Sequence, residues 1–276
     1  MRELRTGTGG LCGGRRTSTV IDGIVMLKGL AAALVVGFVT ASIRSWVDRF
    51  FLLIMLVGIV GLPIGEAVLV NLVVVSLSAL LMVFRQRKAL GSATSARTAA
   101  FLIVAAAVAG GIAGRIVGAV SPPKVLLGAL GVYAVLVGLR ILFIKPLSER
   151  ETKAHPAWLA PVALGSGLLT GFLSAGGKPF AVPAYNNAMG HHPQTAYAYT
   201  SLGVVAASWS ALATQFGLVA VVSLADLVLG LYEFALVTLV ALLMNRLWSE
   251  KLNRIVNLTI APILIIVGVR FIIFAV

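Results

Sequence analysis

Residues 171–201 read GFLSAGGKPFAVPAYNNAMGHHPQTAYAYTS. A helical membrane span needs roughly 20 apolar residues in a row, and this stretch starts as one and then breaks. Gly176-Gly177 suit the positions just past a helix C-terminus. Pro179 suits the first turn of a new helix, and Lys178 stands at the junction. His192-Pro193-Gln194-Thr195 reads as a second helix start, with Thr200 and Ser201 about two turns inside it. Irregular backbone at membrane depth is tolerated only where protein buries it or a cavity adjoins it. The break therefore predicts a site. A helix start presents unpaired N–H groups and partial positive charge. A lysine ammonium beside it gives anion-binding chemistry, and Tyr185, Asn186 and Asn187 supply hydrogen bonds about two turns further on. Facing lipid, Lys178 would cost several kcal/mol. Two readings of it stand side by side: an inward, substrate-attracting cation, and an interfacial lysine in a loop.

The chain around this stretch is overwhelmingly apolar. Of 276 residues 59% are hydrophobic and 11% charged, against roughly 25% charged in soluble domains, and the mean hydropathy is +1.03. A soluble monomer does not carry that much apolar surface, and disorder requires the opposite composition. Long runs without two-residue alternation exclude a barrel. The sequence predicts an all-α, multi-pass protein of the cell (plasma or inner) membrane. Eight runs are expected as full transmembrane helices: 24–43, 67–84, 98–120, 125–144, 157–175, 195–216, 227–244 and 255–276. Two short runs, Phe50–Leu62 and Phe180–Met189, are expected as broken or re-entrant segments, since a helix of that length falls short of the roughly 30 Å core.

The short runs occupy matching places, and local sequence recurs with them. Val137-Gly138-Leu139-Arg140 returns as Val267-Gly268-Val269-Arg270, Lys124-Val125 as Arg254-Ile255 and Pro63 as Pro193, all 130 positions apart. Gly37-Phe38-Val39-Thr40-Ala41 returns as Gly171-Phe172-Leu173-Ser174-Ala175, 134 apart. The alternative is convergent Gly/Val/Leu composition. The expected layout is a basic tail (1–23), a first transmembrane repeat (24–145), a linker (146–156) and a second repeat (157–276). A first run with an internal counterpart is not a signal peptide, although Val39-Thr40-Ala41 resembles a cleavage site. Thr40 and Arg44 stand where Ser174 and Lys178 stand, and Asn71 stands near the place of Thr200-Ser201. The first half lacks the glycines, and Asp48 is a candidate partner for Arg44 or Arg49.

Lys plus Arg number 22 and Asp plus Glu 9, a net charge of +13. In this setting the excess reads as orienting loops rather than nucleic-acid binding. The loop with Arg85, Arg87, Lys88 and Arg97 is expected to be cytoplasmic. Re-entrant fragments would make the halves parallel and the basic tail cytoplasmic, which charge favours. Crossing fragments would invert the halves, as in transporters built on discontinuous helices, and put the tail outside.

Catalytic motifs are missing. His155, His191 and His192 form no H-E-x-x-H, and Ser174 has no G-x-S-x-G elbow. No phosphate loop occurs, and the lone Cys12 offers neither a disulfide nor a thiolate metal site. Neither enzyme activity nor a cofactor or metal is expected. Glu233, inside a late span, is either a proton-coupling carboxyl or a structural hydrogen-bonding group. Asp226 and Glu66 suit helix-capping positions. Arg140 and Arg270 suit snorkelling, Trp46, Trp158 and Trp248 an aromatic belt, and Gly110, Gly111 and Gly114 close helix packing.

Gly171, Phe172, Ser174, Gly176, Gly177, Val182, Pro183, Pro193, Ala196, Thr200 and Ser201, in this order, resemble the second-half signature of the TauE/SafE sulfite exporter family. The basic loop and Gly138-Leu139-Arg140 fit as well, and the resemblance covers about residues 24–276. It implies a permease of two repeated halves that moves sulfite, organosulfonates or related anions. Lys178 interrupts the family's glycine run, and Asn186-Asn187 and His191-His192 depart from its pattern. The combined expectation is a secondary transporter, an exporter working by alternating access. Thr40, Arg44, Asn71, Ser174, Gly176, Gly177, Lys178, Tyr185, Asn186, Asn187, Thr200 and Ser201 would meet substrate, and Glu233 would couple protons. Expected partners are a small anion and the lipid bilayer, with no nucleic acid; a homo-oligomer stays open. The competing readings are a proton- or cation-linked permease for an uncharged metabolite, an intramembrane enzyme using Ser174 with His191 or His192, and a non-transporting scaffold subunit.

Overall fold

A computed structural model describes residues 23–42, 50–86, 94–143, 158–188, 190–218, 222–246 and 249–276. The expected tail, the linker, Arg44, Asp48, Trp46, His155 and Trp248 lie outside the described residues. Within them the chain is helical: α1 (Gly23–Ser42), α2 (Phe50–Met55), α3 (Ile64–Gln86), α4 (Thr94–Val120), α5 (Pro123–Phe143), α6 (Leu159–Leu173), α7 (Lys178–Pro183), α8 (Pro193–Leu218), α9 (Leu224–Asn245) and α10 (Glu250–Ala275). Each of the eight long runs read from the sequence falls on one of these helices. Six helices, α1, α3, α4, α5, α9 and α10, are long and apolar enough to cross a membrane. α6 has only 15 residues, and α8 carries Gln, Thr, Ser and Tyr among its 26.

The two short runs form the same unusual element. α2 has six residues and passes into a five-residue π turn, Leu56–Val60; α7 has six and passes into another, Ala184–Ala188. Such widened turns are rare and often occur at functional sites.

Close contacts fix the helix directions. Gly110, Gly114 and Gly118 of α4 face Leu164, Leu168 and Phe172 of α6 in rising order, so these helices run parallel. On α1, Gly29 faces Tyr232 and Glu233 and Gly37 faces Val237 and Val240, so α1 and α9 are parallel too. α4 is parallel to α8, with Gly203 facing Ile103 and Arg115 bonded to Gln215. α3 is antiparallel to α8: Gln86 meets Ser201, while Leu72 clusters with Ala211. α5 is antiparallel to α10, with Gly131 against Gly268 and Gly138 against Ala261. Leu218 and Leu224 are joined by too few residues to recross a membrane, at about 3.5 Å per residue, so α9 reverses α8. It follows that α1 and α3 point the same way, and α6 and α8 point together the opposite way. The chain returns once between Ser42 and Ile64 and again between Leu173 and Pro193, with α2 and α7 in the two returns.

Packing follows the same correspondence. α1 pairs with α9 and α6 with α4; α3 pairs with α9 and α8 with α4; α3 with α8 and α5 with α10 complete the main set. Exchanging α1–α5 for α6–α10 in order maps these pairs onto one another. The main core surrounds α2, whose Phe50, Leu52 and Leu53 are fully buried. Tyr133 of α5 stacks edge-on with Phe50 of α2 at 5.2 Å and with Phe180 of α7 at 5.6 Å, so one ring holds both short helices. The α4–α6 seam is built on glycine, and a Cβ on Gly171 would strike the Gly111 carbonyl. Without a hydrophobic drive between helices in lipid, such backbone approach is what joins them. One cap differs from expectation: Ser223, not Asp226, caps α9, accepting the Ala225 amide at 3.2 Å, and Asp226 sits inside the first turn.

Candidate functional site

α6 ends earlier than Gly176-Gly177. Ser174 takes the left-handed conformation at φ 53°, its amide donating to the Thr170 carbonyl at 2.8 Å. Few residues other than glycine accept such a φ. After Ala175, Gly176 (φ 80°) and Gly177 (φ 57°) again take positive φ, and the chain reverses. Gly177 then lies against Ser166, so α7 begins by folding back along α6, and a Cβ at 177 would collide with the Ser166 hydroxyl.

The reversal leaves donors over. Ala175, Gly176 and Gly177 are buried, and their amides form no hydrogen bond among the described residues. A buried donor left unsatisfied costs about 1–3 kcal/mol. Lys178 follows at once, 2% exposed, its ammonium over the Tyr197 ring at 5.3 Å. The site therefore combines three buried amides, one buried cation and an aromatic face.

The hydroxyls and amides expected beside it serve mainly to hold it. Ser174 donates to the Leu173 carbonyl and accepts from Asn71 Nδ2 at 3.0 Å; the same nitrogen donates to the Ser174 carbonyl at 2.9 Å. Thr200 donates to the Ala196 carbonyl at 2.8 Å. Ser201 donates to the Tyr197 carbonyl at 2.8 Å and reaches Gln86 Oε1 at 3.1 Å. Asn186 Nδ2 donates to the His191 carbonyl at 2.7 Å, closing the loop before α8, and Tyr185 OH approaches the Leu159 carbonyl at 3.4 Å. Asn187 is exposed. Thr40 is buried near the end of α1 without a hydrogen bond to any of these groups.

Glu233 stands apart on α9. It is fully buried against Gly29 of α1, and neither carboxylate oxygen has a hydrogen-bond partner among the described residues. The neighbouring Tyr232 ties the two helices by donating to the Met26 carbonyl at 3.3 Å. Among the described residues no three His, Cys, Asp or Glu side chains cluster in a way that would hold a metal ion.

The sequence reading passed over Arg115, Gln215, Gln86 and Ser166. Arg115 carried the same signal as Glu233, an ionisable residue inside an apolar run. Ser166 and Gln86 are legible only from the way the chain folds back.

A many-helix membrane protein whose short α7 follows a buried, glycine-rich reversal belongs with transporters built on interrupted helices. The family model for the Sulfite exporter TauE/SafE family matches residues 30–271, nearly the whole chain, and the chain belongs to that family. No curated protein and no solved structure gives a significant match.

Proposed function

We propose that the protein is a secondary transporter that exports small oxyanions, sulfite or organosulfonates above all, and that it holds them at the reversal between α6 and α7. The observation that carries this reading is the run of three buried, unbonded amides, Ala175 to Gly177, directly before the buried Lys178. An apolar or cationic guest would leave their desolvation cost in place. An oxyanion accepts from them with the ammonium close by, and charge-assisted bonds of this kind are about twice as strong as neutral ones. Family membership supplies the sulfur chemistry of the guest.

In this account α1–α5 and α6–α10 are one unit repeated in inverted orientation. Four helices and one broken return make up each half, and the halves rock about the reversal to alternate access. The opposed helix directions and the paired 6-plus-5 elements support it. Asn71, a first-half residue, shapes the reversal through Ser174; Lys178 and the amides meet the anion. Glu233 couples protons, a role supported by a fully buried carboxyl without a bonding partner on the α1–α9 seam. The transport is tested by loading proteoliposomes with sulfite and following efflux. Saturable efflux that competing sulfonates inhibit is expected, and efflux equal to that of empty liposomes overturns the reading.

A further inference from the structure

Arg115 is 6% exposed within α4, and its Nε donates to Gln215 Oε1 of α8 at 2.6 Å. Gln215 is 5% exposed. No carboxylate pairs with Arg115 among the described residues. The acids at that end of the bundle, Glu66 and Asp226, lie in the first turns of α3 and α9. A buried guanidinium without a counter-charge is costly. Among the described residues its two terminal nitrogens form no hydrogen bond and are not sealed from the surface, and the same holds for the Gln215 amide nitrogen. A planar guanidinium edge beside a carboxamide N–H is a donor array for an anion with two or three oxygens on one centre.

Tyr197, under the Lys178 ammonium, and Gln215 are both on α8, 18 residues or about 27 Å of helix apart. Gln215 lies in the last turn of α8, and Arg115 lies near the end of α4, beside Gly171 of α6. The Lys178 ammonium, over Tyr197 in the second turn of α8, and Arg115, bonded to the last turn, are therefore set apart along α8, with the Lys178 backbone starting beside Ser166, midway along α6.

We propose that Arg115 and Gln215 form a second oxyanion contact, set apart from Lys178 along α8, which receives the same substrate further along its path. The proposal rests on the transport reading for its substrate class. Lys178 and Arg115 then act in series, the reversal releasing the anion toward Arg115.

The test is anaerobic sulfite binding to the purified full-length protein at fixed ionic strength. Wild type is expected to show two components, with Lys178→Gln removing one and Arg115→Gln weakening the other about tenfold or more, a loss that Gln215→Ala partly reproduces. Isotherms of folded Arg115→Gln and Gln215→Ala that superimpose on wild type overturn the second contact. A component sensitive to Arg115→Gln in a protein indifferent to Lys178→Gln supports it while overturning the role given to Lys178. Should Arg115→Gln fail to fold, wild type decides. Sulfite, and not chloride, should slow phenylglyoxal modification of Arg115 as read by peptide mass spectrometry, and equal rates with and without sulfite overturn the proposal.

Discussion

Asn71 Nδ2 donates to both the carbonyl and the hydroxyl of Ser174, at 2.9 and 3.0 Å, across 103 residues of chain. A fully buried side chain on α3 thereby fixes the left-handed residue that ends α6. The break between α6 and α7 is built with a part from α3. Asn71→Ala leaves two buried Ser174 oxygens without this donor, at about 1–3 kcal/mol. We expect a lower melting temperature together with weaker sulfite binding, measured by thermal unfolding with and without anion. An unchanged melting curve would remove Asn71 from the framework of the site.

Glycine at the α4–α6 seam is required by contact, not composition. Gly171→Ala drives a methyl group into the Gly111 carbonyl and onto the Arg115 amide. Gly165, on the same helix, has nothing within 4 Å of an added Cβ. Gly171→Ala should cost about 1–3 kcal/mol or more, while Gly165→Ala should be neutral or slightly stabilising by helix propensity. Melting temperatures of the two variants, compared in one detergent, check this; equal values contradict the parallel α4–α6 packing.

Glu233 faces Gly29 with both oxygens unbonded. If the carboxyl carries the coupled proton, Glu233→Gln keeps the shape and removes the titration. Wild-type sulfite flux in proteoliposomes should respond to an imposed pH gradient, and the variant should retain flux that no longer does. A gradient response preserved in Glu233→Gln assigns the carboxyl to structure alone.

Helix directions place the start of α1 on the face opposite the turn between α3 and α4. Arg85 lies in the last turn of α3 and Arg97 in the first turn of α4, with Arg87 and Lys88 between them in sequence, and at the same end Arg246 follows α9 while Lys251 and Arg254 lie in the first turns of α10. Basic turns face the cytoplasm, so the N-terminus should face outward. Cys12 is the only cysteine and therefore a natural reporter. A membrane-impermeant maleimide should label it in intact cells, and labelling only after permeabilisation contradicts the assignment.

Much of this was legible in the sequence, because bilayer thickness sets run length and glycine and proline mark breaks. The short runs at Phe50 and Phe180 announced α2 and α7, and Gly176-Gly177 announced the reversal. Direction was not legible. Charge on the tail favoured parallel halves, whereas the α1–α9 and α4–α6 contacts, invisible in a linear pattern, make α1 and α6 run oppositely. The role of the hydroxyls was hidden for a similar reason: Thr200 and Ser201 bond to carbonyls one turn back, as buried hydroxyls in helices commonly do. Arg115 was visible as an anomaly, but its partner stands 100 residues away, at Gln215.

In the proposed mechanism the amides of Ala175 to Gly177 and the ammonium of Lys178 bind one oxyanion together. Equilibrium binding of sulfite to purified wild type and Lys178→Gln, with both shown folded, tests it most directly. Wild type should bind saturably, with the component at the reversal falling about tenfold or more in the variant, the worth of one charge-assisted contact. Identical isotherms for the two proteins would contradict it.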